Sequence, residues 1–308
     1  MAWNKHEIPD LTEQVMLVTG GNTGLGLETV RVFAEHGALV VLACRDADKG
    51  ANAVSGLGRI AGEVQVMRLD LASLNSVRVF AETFLNRFEK LDVLVNNAGV
   101  MATPYALTED GLELQQGVNH FGHFALTALL WPALIQSPQG RVVNVSSLTH
   151  RFADYPKDNL LFDGGVGYAP MRAYARSKLH NLLFTFELHR RAQTAGLSLR
   201  SIAAHPGGTQ TELARHMQSA LAVRQAFDFY HRFISQQPDM GALPQIRAAL
   251  DPAAKSGEFW GPAGWFEMRG KPARVNATLL AQRSDIAADL WSLSEDLTQT
   301  PFEVQSSS

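Results

Sequence analysis

Residues Ala173–Lys178, AYARSK, set a tyrosine and a lysine four positions apart with no helix breaker between them. On a helix, Tyr174 and Lys178 share one face about one turn apart. A phenol titrates at about 10, too high for easy proton exchange at neutral pH. A neighbouring ammonium favours the phenolate and lowers that value towards the range of a working acid or base. The same pair sits equally well on any amphipathic helix, so its chemistry depends on what the chain builds in front of it. Ser146 and Ser147 follow the apolar run RVVNV, and Asn119 lies in GVNHF within a long helical pattern. A hydroxyl at a strand end can bond a substrate oxygen or simply cap a turn. A buried helix asparagine needs a partner.

These residues need a frame, and the hydrophobic pattern supplies one. VMLVT (15–19), ALVVLA (38–43), VQVMR (64–68), LDVLVN (91–96), RVVNV (141–145) and LRSIAA (199–204) are short and almost continuously apolar. That is the pattern of parallel strands buried on both faces. Between them run the helical patterns LGLETVRVFAEHG, SLNSVRVFAETFLNRF, LELQQGVNHFGHFALTALLWPAL and YARSKLHNLLFTFELHRRAQ, with Gly37 placed as a helix stop. The rhythm predicts an α/β fold, a Rossmann-type doubly wound parallel sheet with helices on both faces. Such sheets bind ligands beyond the carboxyl ends of their strands. The rhythm weakens past residue 206. Residues 208–240, with Phe227, Phe229, Tyr230 and Phe233, are expected to form an apolar substrate lid. FWGPAGWFEMRGKP and a final helix around 284–297 form a C-terminal segment. We expect one domain over residues 1–308, with its core at 13–206.

The first strand runs straight into TGGNTGLG, residues 19–26, and then into a helix. Glycines there let the backbone turn tightly and approach a pyrophosphate, while the helix N-terminus offers N–H groups and partial positive charge. The spacing is T-G-x-x-x-G-x-G, which differs from both G-x-G-x-x-G and the P-loop. After the second strand come Cys44 and Arg45, with no acid at the Cys44 position. A carboxylate there would suit the ribose 2′-hydroxyl of NAD, whereas a basic residue accommodates the 2′-phosphate of NADP. Arg45 can grip a phosphate through its planar fork, with Lys49 assisting. The alternative is that Arg45 is a solvated charge while Asp46 serves the ribose.

Taken together, TGGNTGLG, NNAG, NVSS, YARSK and HPGGTQTEL resemble the short-chain dehydrogenase/reductase family in its single-domain branch. VLACRDADKG and SKLHNLLFTFEL look most like its retinol dehydrogenase-like and related bacterial members. The resemblance covers roughly residues 10–300 and says little about substrate. It implies a catalytic set of Asn119, Ser147, Tyr174 and Lys178. Tyr174 is the acid, Lys178 tunes it and binds the nicotinamide ribose, Ser147 bonds the carbonyl oxygen, and Asn119 holds a relay water. It further implies cofactor contacts from Gly20, Asn22, Thr23, Gly24, Leu25 and Gly26 in the first turn. Arg45, Asp70, Leu71, Asn97, Ala98 and Gly99 continue the site along the strand ends. Pro206, Gly207, Thr209 and Thr211 close it at the nicotinamide, where Tyr174 and Lys178 also make contact. Asp70 reads almost as well as a helix cap. Asn97 reads as structural, Ser146 as the weaker serine, and His205, before a proline, as a packing residue.

The 308 residues carry 46% apolar and 19% charged side chains with a net charge of −3. That balance gives no electrostatic reason to expect nucleic acid or an anionic membrane as the main partner. A lone cysteine, Cys44, allows neither an intrachain disulfide nor a thiolate metal cluster and suits a reducing, cytoplasmic setting. The stretch MAWNKHEIPDLTEQ lacks the apolar centre of a signal peptide, and no run of about 20 apolar residues is present to span a bilayer. The sequons at Asn144 and Asn276 then read as chance matches. His120 and His123 stand three apart with no carboxylate or thiolate partner in sequence, so no metal is expected.

These features predict an NADP(H)-dependent alcohol dehydrogenase or carbonyl reductase acting on a lipophilic small molecule, with NAD(H) as the alternative cofactor. A homo-oligomer remains open, because the C-terminal segment could alter how helices pair. The main rival is a non-catalytic NADP(H)-binding sensor. A sensor has no physical need for a tuned acid beside the hydride. A sugar-nucleotide epimerase also uses Y-x-x-x-K, but the shorter chain and the turn spacing disfavour it.

Overall fold

In the computed structural model, which describes residues 8–209 and 236–305, VMLVT forms strand β1 (Val15–Thr19). Its side chains alternate between the two faces of a sheet, and both faces are covered. Val18 packs in a cluster with Val30, Phe33, Val40, Leu42 and Ile246. Leu17 packs on the other side with Val41, Phe80, Phe84, Leu94 and Phe124. Burial of a large apolar side chain is worth about 1.5–3 kcal/mol, so these continuous apolar runs are stable only where both faces are dry.

The chain proceeds through α1 (Gly24–Glu35), β2 (Leu39–Cys44), α2 (Ala47–Ser55), β3 (Glu63–Arg68), α3 (Leu74–Leu85) and β4 (Val93–Asn96). It continues through α4 (Leu114–Gln116), a π-helical turn at Gly117–Phe121, α5 (Gly122–Leu129), α6 (Trp131–Gln136), β5 (Arg141–Val145), α7 (Pro170–Thr194) and β6 (Arg200–Ala204). After residue 236 come α8 (Pro238–Gly241), α9 (Leu243–Leu250), β7 (Phe259–Pro262), β8 (Pro272–Arg274) and α10 (Ser284–Thr298). The strands form one sheet in the order β3-β2-β1-β4-β5-β6-β7-β8, parallel except for the β7–β8 pair. After β3 the chain crosses back to lay β4 beside β1, which opens a crevice beyond their carboxyl ends.

The expected strands form within two residues of their expected bounds. The expected long helix from Leu112 does not run unbroken. Gly117 and Gly122 bring it so close to its neighbours that a Cβ would fall 2.4 Å from Thr108 Cγ2 and 2.6 Å from the Leu71 carbonyl oxygen, respectively. The π turn lies between those two approaches. Strands β7 and β8 have no signature in the sequence, because FWGP contains the glycine and proline that normally argue against a strand. Helix α10 lies on α5 and α7, where Trp291 stacks on Phe302 at 4.8 Å and meets Phe124 edge-on at 5.2 Å. Among the described residues, no helix is long and apolar enough to cross a membrane. Most of the expected lid, including Phe227, Phe229, Tyr230 and Phe233, lies outside the described residues.

Candidate active site

A cleft of about 880 Å³ opens at the carboxyl ends of β1, β2, β4, β5 and β6. At one end is the glycine turn. Gly20 and Gly24 adopt φ of +65° and +52°, which residues with a Cβ rarely tolerate. A Cβ on Gly26 would fall 2.2 Å from the Gly20 carbonyl oxygen and 2.6 Å from Asn97 Nδ2, so only glycine lets α1 start this close to the sheet. Thr23 makes no side-chain cap bond and the first turn of α1 holds no acid. The turn therefore presents backbone and positive dipole to the cleft, a cradle that fits a dinucleotide pyrophosphate.

The other expected cofactor positions line the same cleft: Asn22, Thr23 and Leu25 in the turn, Arg45, Asp70, Leu71, Asn97, Ala98 and Gly99 at the strand ends, and Pro206, Gly207 and Thr209 after β6. Thr211 lies outside the described residues. Arg45 is exposed at the mouth. Asp46 caps α2, accepting from the Lys49 amide at 3.1 Å, and its carboxylate faces Lys49 Nζ at 3.6 Å. Asp70 does not cap α3; Ser73 does, while Asp70 Oδ1 accepts from the Ala72 amide at 3.0 Å. Asn97 ties the end of β4 to β1, its Nδ2 donating to the Thr19 carbonyl at 2.8 Å.

At the far end Tyr174 and Ser147 both line the cleft, and the Ser147 hydroxyl favours the phenolate of Tyr174. Ser146 also borders the cleft, but its hydroxyl donates to the Lys178 carbonyl at 2.8 Å. Lys178 lies one turn along α7, its Nζ 5.6 Å from the centre of the Tyr174 ring and donating to the Val145 carbonyl at 3.0 Å.

The electrostatics depart from the sequence-based expectation. Burial pushes the Tyr174 phenol up to about 12, against the opposing pull of the Ser147 hydroxyl, and Lys178 does not lower it. The same burial lowers Lys178 to about 8. Loss of water penalises each charged form here more strongly than the pair favours it. Tyr174 is consequently a protonated phenol at neutral pH, suited to giving a proton.

Asn119 sits behind this pair and does not line the cleft. Its Oδ1 accepts from the Val100 amide at 2.8 Å, and its Nδ2 donates to the Val100 carbonyl at 3.0 Å and to Ser177 Oγ at 2.9 Å. Ser177 donates in turn to the Tyr174 carbonyl at 2.8 Å. The amide thus holds the turn of α7 that carries the tyrosine.

His123 lies behind the site and joins its hydrogen-bond network. Thr19 Oγ1 accepts from the Asn97 and Ala98 amides at 2.9 and 3.0 Å and lies 2.8 Å from His123 Nε2. His123 Nδ1 lies 3.0 Å from the Asn119 carbonyl, which can only accept, so Nδ1 carries the ring proton and Nε2 accepts from the Thr19 hydroxyl, which also reaches the Val95 carbonyl at 3.3 Å. Burial lowers this ring to about 4, which keeps it neutral. Gln245, from α9, donates to Asn97 Oδ1 at 3.2 Å and Thr29 Oγ1 at 2.7 Å. Gln245 belongs to no local motif, so sequence spacing carried no signal for it. No cluster of three or more metal-ligating side chains occurs among the described residues.

The chain belongs to the short-chain dehydrogenase family, whose model matches residues 14–222. It is therefore an oxidoreductase by family, with the Rossmann-like sheet described above. Retinol dehydrogenase 12 of Homo sapiens is 46% identical over 298 residues, covering 95% of this chain and 89% of that protein. Retinol dehydrogenase 11 of Homo sapiens is 40% identical over 297 residues, covering 95% and 88%. The crystal structure of an uncharacterised protein from Mycobacterium paratuberculosis superposes with a TM-score of 0.81 at 41% identity, covering 98% of this chain and 99% of that one.

Proposed function

We propose that this protein is an NADP(H)-dependent oxidoreductase that interconverts a lipophilic aldehyde or ketone and the corresponding alcohol. The observation that carries this is that Tyr174 and Ser147 share the wall of a cleft whose opposite end is the glycine turn. Apolar side chains lining the cleft, including Met101, Leu114, Val118, Leu148, Phe152 and Met268, favour a lipophilic substrate. The retinol dehydrogenases to which the chain is similar act, by name, on a lipophilic alcohol.

The nicotinamide, when bound, supplies the hydride for reduction or takes it in oxidation. The protein's own residues handle the proton and the geometry. Ser147 Oγ orients the carbonyl oxygen, and Tyr174 Oη gives that oxygen its proton as the alcohol forms. Lys178 holds positive charge beneath the phenol and reaches towards the ribose. Asn119 fixes the Tyr174 turn through Ser177. Gly20, Gly24 and Gly26 seat the pyrophosphate, and Arg45 with Lys49 meets the 2′-phosphate. We read all of these elements as one nucleotide-binding domain.

The test is the rate of NADPH consumption by purified protein with a panel of lipophilic aldehydes and ketones, run beside NADH and beside the reverse reaction with the alcohols. NADPH-dependent turnover is the expected result. Tight NADPH binding without turnover in either direction would favour the sensor.

The pH dependence of reduction gives a further prediction. Tyr174, raised to about 12, keeps its proton through the neutral range, whereas Lys178, lowered to about 8, loses its charge above that value. For reduction, kcat/KM should be level from about pH 6 to about 7.5 and fall above about 8, since it reports the free enzyme's groups. A level profile to about pH 9.5 would separate the Lys178 charge from the chemistry.

A further inference from the structure

Glu267 belongs to none of the motifs, yet it joins the two loops that border Tyr174 and Ser147. Its Oε1 accepts from Arg151, in the turn that begins at Ser147, at 2.7 Å. Its Oε2 lies 3.1 Å from His205 Nε2. The Gly207 amide donates to His205 Nδ1 at 3.2 Å, which makes that nitrogen the acceptor. The ring proton is therefore on Nε2 and is donated to Glu267. One line of hydrogen bonds thus runs from Arg151 through Glu267 and His205 to the backbone of Gly207.

The backbone closes the same connection. Gly208 donates to the Met268 carbonyl at 2.8 Å. A Cβ on Gly207, at φ +66°, would fall 2.5 Å from that oxygen and 2.8 Å from the Glu267 carbonyl oxygen. The His205 ring lies across β7, where a Cβ on Gly261 would come within 2.0 Å of Nε2. Phe266 and Glu267 both hold left-handed conformations, φ +47° and +58°. Side chains rarely adopt that region, and consecutive residues held there are maintained by their surroundings, often at functional sites.

We propose that Glu267 is a positioning residue which, through His205 and Arg151, holds the Pro206–Gly208 loop in register with the Ser147 turn and so sets the width of the cleft at its reacting end. This rests on the dinucleotide reading above. Glu267 itself touches neither substrate nor cofactor in this scheme. Its effect passes through loop backbone at the nicotinamide half and leaves the adenosine half, at Arg45 and Asp70, unchanged.

The experiment compares NADPH with adenosine 2′,5′-bisphosphate, which carries only the adenosine half, by calorimetric titration of the full chain. NADH and AMP replace them if the parent prefers NADH. In Glu267→Ala the Kd for NADPH should rise about tenfold while that for the bisphosphate stays within about twofold, with kcat falling by at least tenfold as the reacting groups lose register. Glu267→Gln, which keeps an acceptor for His205, should fall between parent and alanine. Arg151→Met, which removes only the ion pair, should show a smaller loss of the same kind. Equal weakening of both ligands together with a lowered Tm would make Glu267 purely structural and overturn the proposal. Unchanged NADPH binding and kcat in all folded variants would overturn it too. If the alanine variant does not fold, the glutamine and Arg151 variants carry the same comparison. A parent that binds neither NADPH nor NADH would remove the dinucleotide reading, and the positioning role with it.

Discussion

Tyr174→Phe protein is expected to bind NADPH as the parent does and to reduce carbonyl substrates about 10²–10⁴-fold more slowly, the usual worth of a positioned acid. The substitution removes one oxygen from a ring that is buried and held by its helix, so the slot that contains it should survive. What disappears is the proton that burial keeps on Oη at neutral pH. The loss should appear in kcat and not in the Kd of the dinucleotide, because the phenol is matched to charge developing on the substrate oxygen in the transition state. Steady-state rates beside a binding titration separate the two. A kcat within threefold of the parent, in a protein that still binds NADPH, would assign the proton to another group.

Arg45→Asp should reverse the cofactor preference. Hydrogen bonds to charged groups are each worth about 1.5–3 kcal/mol, and a carboxylate facing the 2′-phosphate adds repulsion. Together these should lower the ratio of kcat/KM for NADPH to that for NADH by about 10²-fold or more. The prediction rests on Arg45 following β2 at the cleft mouth while Asp46 is occupied in capping α2 and facing Lys49. Asp46→Asn makes the complementary test, since it should leave the ratio near the parental value while loosening the α2 cap. An unchanged ratio in Arg45→Asp would take this arginine out of the phosphate site, leaving the glycine turn and the reacting end untouched.

The two assignments were legible in the sequence to different depths. Tyr174 and Lys178 were recognisable as a pair because an i, i+4 spacing on a helix implies proximity without any knowledge of the rest of the fold. Their titration was not. The spacing suggested a lysine that lowers the phenol, whereas the packing of α7 against the sheet dries both groups and moves both towards neutrality. Asn119 shows the same division. Its place in the helical pattern was readable, but the π turn and the commitment of its amide to Val100 and Ser177 come from close approaches that no local pattern records.

By itself, the sequence determined the parts whose signal is local. The alternating apolar runs specify parallel strands, the glycines of TGGNTGLG specify a tight strand-to-helix turn, and the order of the motifs specifies the family. Tertiary structure alone decided which distant residues meet. It brought Glu267 to His205 and Arg151, Gln245 to Asn97, and His123 to Thr19, and it added β7 and β8 to the sheet despite a glycine and a proline in FWGP. The physical reason is that strand, helix and turn preferences act over a few residues. A hydrogen bond across sixty residues or more exists only after the sheet has folded, and burial then sets its strength and the proton positions within it.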